Sequence, residues 1–148
     1  MEKRELGFDE IEEIVKFDKL CFPNDAWSRE DWEDLLTDER AKYTAIMDNE
    51  KIVGDIFTYD WSGEKDYLKI MHLAIHQDHR KEGLAGELME QTIKEFKSTK
   101  LNKICAETRA SNIAMQRCFD KYGFIHNDTE KECYQNPSED GFKYIFEK

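Results

Sequence analysis

Apolar residues recur at two spacings along this chain, and the change between them marks its elements. Ile11, Ile14 and Val15, with Phe8 just before them, form one helical stripe ahead of Cys21-Phe22-Pro23. Ser28 with Asp31 three residues on resembles a capping box. It opens a second, short helix carrying Trp32, Leu35 and Leu36. From Tyr43 the period becomes strand-like: Tyr43–Met47, a turn at Asp48-Asn49-Glu50, and Lys51–Tyr59 as the hairpin partner. After a turn at Trp61-Ser62-Gly63, a long strand is expected from Asp66 to His76. Leu84, Ala85, Leu88, Met89, Thr92, Ile93 and Phe96 then make a third helical stripe. Lys103–Thr108 reads as a strand, and Ala114, Met115, Cys118, Phe119 and Tyr122 as a helix that Gly123 can end in a left-handed cap. Strands at Ile125–Tyr134 and Phe142–Glu147 close the chain, and Arg4–Leu6 can add a leading one.

Hairpins fill the first half and a strand-helix-strand crossover sits in the middle, so the pattern predicts an α+β fold, a mixed sheet covered by helices. With no repeat, no low-complexity tract and no linker of more than a few residues, residues 1–148 read as one domain. The net charge is −11, with a sequence pI near 4.9. A nucleic-acid partner is excluded because it needs a basic face, and an anionic membrane surface is disfavoured for the same reason. Cys21, Cys105, Cys118 and Cys133 lie far apart without a C-x-x-C pair, and the charged N-terminus carries no signal-peptide pattern. Together these predict a cytoplasmic chain with reduced thiols. His72 and His76, four residues apart on one strand, stand about 13 Å apart and cannot share a metal, so no metal site is expected.

The stretch Leu73-Ala74-Ile75-His76-Gln77-Asp78-His79-Arg80-Lys81-Glu82-Gly83-Leu84-Ala85-Gly86 holds the densest chemistry. A strand ends, a polar loop follows, and a helix opens on glycine. Unpaired N–H groups and the positive end of the helix dipole suit a phosphate there, and Arg80 and Lys81 add local positive charge to an acidic chain. No Gly-Lys-Ser/Thr follows, so this is no P-loop, and the strand does not open a dinucleotide-binding unit. On its own, a plain glycine-started helix fits as well.

Arg80-Lys81-Glu82-Gly83-Leu84-Ala85 resembles the Arg/Gln-x-x-Gly-x-Gly/Ala motif of the Gcn5-related N-acetyltransferases. Three further segments resemble, in order, the RimI-like N-terminal protein acetyltransferase branch of that family. They are Phe22-Pro23-Asn24-Asp25-Ala26-Trp27-Ser28; Glu107-Thr108-Arg109-Ala110-Ser111-Asn112 with Phe119-x-x-Tyr122-Gly123-Phe124; and Tyr134-Gln135-Asn136-Pro137-Ser138-Glu139-Asp140. The resemblance implies an acyl-CoA N-acyltransferase fold: a mostly antiparallel sheet of about six or seven strands with one splayed parallel pair, and about four helices. It also implies acetyl-CoA as co-substrate, with pantetheine along Leu73, Ala74 and Ile75. The loop Arg80, Lys81, Glu82, Gly83, Leu84, Ala85 and Gly86 would hold the pyrophosphate, and Asn112 and Phe119 would contact the cofactor arm. Glu107 takes the general-base position. Trp27, His72 and Tyr134 would frame the acceptor, an amine on a protein N-terminus or on a small molecule such as a polyamine. The protein would act as a monomer or homodimer.

A base belongs at Glu107 because an amine with a pKa near 8 to 10.4 is mostly protonated at pH 7 and is then no nucleophile. The branch places a tyrosine acid where this chain has Phe119, which has no proton to give. A slower or water-assisted enzyme is therefore expected, with Tyr134 as a substitute donor; a CoA-binding module without turnover is the competing expectation. Cys133 also stands where the branch has a second hairpin tyrosine. Without the resemblance, Glu107 reads as a strand-end carboxylate, and Met115 and Phe119 as core residues.

Overall fold

The computed structural model describes residues 1–148. Seven strands form one sheet: β1 (Glu2–Leu6), β2 (Ala41–Asp48), β3 (Lys51–Asp60), β4 (Tyr67–Ile75), β5 (Lys103–Arg109), β6 (Ile125–Tyr134) and β7 (Glu139–Glu147), in the order β1-β2-β3-β4-β5-β7-β6. Four α-helices cover it: α1 (Ile11–Cys21), α2 (Arg29–Leu36), α3 (Leu84–Lys97) and α4 (Ile113–Lys121). Single 3-10 turns precede α1 at Phe8–Glu10 and follow β4 at Gln77–His79. The leading strand is present and pairs antiparallel with β2. No helix is long and apolar enough to cross a membrane.

Two apolar clusters sit on opposite faces of the sheet. Leu84, Leu88, Met89 and Phe96 of α3, with Phe119 of α4, pack on Ile46, Ile56 and Leu73. Ile11, Ile14 and Phe17 of α1 and Trp32 of α2 pack on Tyr43, Ala45, Phe57 and Ala74 on the other side. The inner strands are thus buried on both faces, which explains their nearly continuous apolar runs. The expected α1 stripe is shifted. Phe8 is 45% exposed in its 3-10 turn, whereas Phe17 and, unexpectedly, Asp18 complete the buried face. The Ser28 cap forms as expected, its side-chain oxygen accepting the Asp31 N–H at 3.1 Å.

The middle of the sheet carries the feature that matters. β4 and β5 are its one parallel pair, and they meet only from Tyr67↔Lys103 to Lys69↔Cys105. Next along β4, Phe57 faces His72 while Thr58 faces Ile70, which leaves Met71 as an extra residue. Such a bulge bends its strand and breaks the local pairing. Beyond it β4 stays with β3 and parts from β5, while β5 stays with β7 along its whole length.

Candidate active site

A cavity of about 420 Å³ fills the gap where β4 and β5 part. Lys69 to Leu73 of β4 form one wall and Glu107 to Arg109 of β5 the other. Asn112, Met115 and Phe119 of α4 close one side; Asp18, Phe22, Asp25, Trp27 and Tyr134 close the other. Of the residues singled out from sequence, this brings together Trp27, His72, Leu73, Glu107, Asn112, Phe119 and Tyr134. Ala74, Ile75 and the loop Arg80–Gly86 do not line the cavity. They continue the same strand out of it, to the start of α3.

That start is a polar cradle. Gly83 adopts φ +80 as the N-cap of α3, with open space where a Cβ would stand, and Lys81 is also left-handed at φ +68. No backbone N–H from Lys81 to Gly86 finds a backbone acceptor in the chain; the first to do so is that of Glu87, on the Gly83 carbonyl. These unpaired donors at a helix N-terminus, beside Arg80 and Lys81, fit a pyrophosphate by the chemistry of the donor set. Asn112, which lines the cavity, caps α4, its Oδ1 accepting the Met115 N–H at 3.1 Å.

Glu107 opposes Lys143 of β7 in register and holds Lys69 Nζ at 3.7 Å across the parting strands. Phe119 is 2% exposed and packs against Tyr144 and Phe124, with ring centroids 4.9 and 5.3 Å away. Tyr134 lies under the Arg109 guanidinium, 4.8 Å from its ring centre. Burial, reinforced by the Glu107 carboxylate, pushes the Tyr134 hydroxyl up to about 12, so it keeps its proton.

Arg109 escaped the sequence reading although it stands inside the motif at Glu107–Asn112. All five of its N–H donors are used. Nε and Nη2 donate to the two oxygens of Asp25 at 2.8 and 2.7 Å. Nη1 donates to the Pro137 carbonyl and Glu139, and Nη2 also to the Gln135 carbonyl. One side chain thus ties the Phe22–Trp27 loop to the β6–β7 hairpin. Lys69 and Met71 of β4 and Thr108 of β5 also line the cavity unannounced. No group of three or more His, Cys, Asp or Glu side chains is arranged to hold a metal ion.

A model of the acetyltransferase (GNAT) family matches residues 8–124. The chain belongs to that family. The acetyltransferase accordingly takes its acyl group from acetyl-CoA. Among solved structures, it is similar to the ribosomal-protein-S18-alanine N-acetyltransferase of Escherichia coli, with a TM-score of 0.87 at 19% identity, covering 99% of this chain and 92% of that one. It is equally similar to Arabidopsis thaliana NAA60 in complex with a bisubstrate analogue, with a TM-score of 0.87 at 15% identity over 98% and 96% of the two chains. A spermidine N-acetyltransferase chimera from Vibrio cholerae and hSSAT follows at 0.79 and 16% identity, over 99% and 96%. At these identities the likeness is one of fold. No curated protein matches the chain by sequence.

Proposed function

We propose that this acetyltransferase belongs to the RimI-like branch and acetylates the α-amine of a protein N-terminus directly, in the cytoplasm, with residues 1–148 acting as one catalytic domain. The observation that carries the reading is the placement of Glu107 at the parting of β4 and β5, between the Phe22–Trp27 loop and the Tyr134 hairpin. Glu107 takes the proton of the incoming ammonium; the β4 backbone beside Leu73 orients the thioester and offers N–H donors to its carbonyl oxygen. Bound acetyl-CoA supplies an activated acyl group whose thiol leaves readily. Holding both reactants in one cleft adds the advantage of proximity. Four unpaired cysteines agree with a reducing compartment. A small polyamine-like acceptor is the second reading, favoured by the Asp25–Arg109 bridge that draws the two walls together.

Thiol release from acetyl-CoA with a panel of peptides, the same peptides blocked at their N-termini, polyamines and lysine derivatives tests the choice. Turnover is expected with free-amine peptides and none with the blocked ones. Turnover confined to polyamines overturns the peptide reading.

With Phe119 unable to donate, Tyr134 is the proton donor that the cavity offers to the departing thiolate. Phe119→Tyr is expected to hold or raise kcat, because the ring already lines the cavity. Tyr134→Phe is expected to lower kcat by about tenfold or more in the parent and by less in the Phe119→Tyr background. Equal losses in both backgrounds, read by steady-state kinetics, rule Tyr134 out as the donor.

A further inference from the structure

Three ionisable side chains from three elements meet beneath the acceptor end of the cavity: Asp18 of α1, Asp55 of β3 and His72 of β4. They are 2%, 0% and 8% exposed. His72 Nδ1 lies 2.7 Å from Asp55 Oδ1 and His72 Nε2 lies 3.0 Å from Asp18 Oδ1. Only an imidazolium donates from both nitrogens, so this geometry calls for a charged ring between two carboxylates. The remaining oxygens are also engaged. Asp55 Oδ2 accepts from the Tyr43 hydroxyl, and Asp18 Oδ2 accepts from Trp32 Nε1 at 2.8 Å and from the Trp27 backbone N–H at 2.9 Å. Asp55 has space for these partners because Ala45 and Ala74 are its neighbours across the sheet.

The cluster is not a ligand set, because both ring nitrogens of His72 are spent inside the protein. What it holds is a wall. Through Asp18 the imidazolium reaches the backbone of Trp27. Its ring meets Phe22 edge-on at 5.0 Å and Trp27 at 6.0 Å between centroids. Both residues line the cavity, and His72 follows the Met71 bulge directly on the strand that carries Leu73.

We propose that His72, bonded at both ring nitrogens, is the positioning residue that seats the Phe22–Trp27 wall of the acceptor site against β4. The inference deepens the acceptor reading above and rests on it. His72 tells the two halves of the cleft apart: its loss loosens the acceptor wall and leaves the polar cradle at α3, on the opposite face of the sheet, as it was.

The same arrangement sets a pH window. Burial works against the charge on His72, but Asp55 and the bonds to both carboxylates outweigh it, and its pKa rises from 6.5 to about 10. The charged groups that act on it are Asp18 of α1 and Asp55 of β3; Tyr43 of β2 and Cys21 of α1, the latter also within the field of Arg80, stand beside those carboxylates. Burial, with Asp55 next, raises both the Cys21 thiol and the Tyr43 hydroxyl and keeps them uncharged. Because the folded value exceeds the unfolded one, the contribution is complete below about pH 6.5 and is lost as pH rises through about 10. The wall is therefore expected to loosen on the alkaline side.

His72→Gln and Asp18→Asn test this together. A glutamine carries both N–H donors on one nitrogen and an acceptor oxygen beside it, so it cannot span the two carboxylates as the ring does. His72→Gln is expected to raise the acceptor KM about ten- to a hundredfold while the Kd for acetyl-CoA stays within about twofold. Asp18→Asn keeps an oxygen for Trp27 and Trp32 and presents an N–H to a neutral His72. Its acceptor KM is expected to lose the rise on the alkaline side that the parent shows. Hydrogen exchange is expected to quicken at residues 22–27 in His72→Gln and to stay unchanged in α3. If His72→Gln lowers only the melting temperature, with acceptor KM and exchange at 22–27 unchanged, the inference is overturned. A parent protein that releases thiol with none of the acceptors defeats the functional reading instead, and the exchange experiment still decides the role of His72.

Discussion

Glu107→Gln is expected to lower kcat by about 10²- to 10⁴-fold at pH 7, the usual range for removing a positioned general base. The exchange keeps size and shape, so the cavity between β4 and β5 stays intact. What it removes is the one carboxylate on the β5 wall, where Glu107 now holds Lys69 at 3.7 Å. An α-amine with a pKa near 8 is about nine-tenths protonated at pH 7, so the wait for the neutral tenth accounts for about tenfold of the loss, and the rest is the missing acceptor for the proton that the attacking nitrogen sheds. The deficit is therefore largest at low pH and narrows above the pKa of the amine, while acetyl-CoA binding at the α3 cradle is unchanged. Full pH–rate profiles from pH 6 to 9 measure it. A variant as fast as the parent across that range shows that Glu107 is not the base.

Why Glu107 was legible in the sequence and its surroundings were not follows from how each is encoded. The motif Glu107-Thr108-Arg109-Ala110-Ser111-Asn112 is local, and so are Gly83 and Gly123, whose φ of +80 and +88 are demands that few other residues meet. The strand expected at Asp66–His76 occurs at Tyr67–Ile75, bounded by left-handed Asp66 and by the His76 side chain, which accepts the Asp78 N–H. The bulge at Met71 is different: it exists only in the pairing with β3, and nothing in the Tyr67–Ile75 run announces it. Arg109 was visible but mute, because its acceptors come from the Asp25 loop and the Gln135–Glu139 hairpin. The buried cluster did leave two local traces. Asp18 falls on the apolar stripe of α1 one residue after Phe17, and Asp55 interrupts the run Ile52–Phe57. A charge at a core position asks for a partner, and His72, 17 and 54 residues away, is one that only the fold supplies.

Acetyl-CoA at about one hundred times its Kd is expected to raise the melting temperature by roughly 6–10 °C. Binding to the native state alone contributes about 2.7 kcal/mol at that ratio, and 1 kcal/mol moves a domain of this size by about 2–4 °C. Much of that affinity is expected to come from the stretch where this acidic chain suits an anion: the unpaired N–H groups from Lys81 to Gly86, beside Arg80 and Lys81. The chain as a whole, with 33 acidic against 22 basic side chains, is expected to repel a polyphosphate and to draw a cationic acceptor. Gly83→Ala tests the cradle without touching any side chain. Open space surrounds the site of the new Cβ, so the cost is backbone strain at φ +80 alone, about 1–2 kcal/mol. The variant is expected to melt a few degrees lower without ligand and to show a smaller acetyl-CoA shift, because relieving the strain swings the loop N–H groups out of line. An unchanged ligand shift in Gly83→Ala would place the pyrophosphate elsewhere. Dependence on salt adds a second reading, since a shift built on charge and helix dipole shrinks as ionic strength rises, whereas one built on pantetheine burial does not.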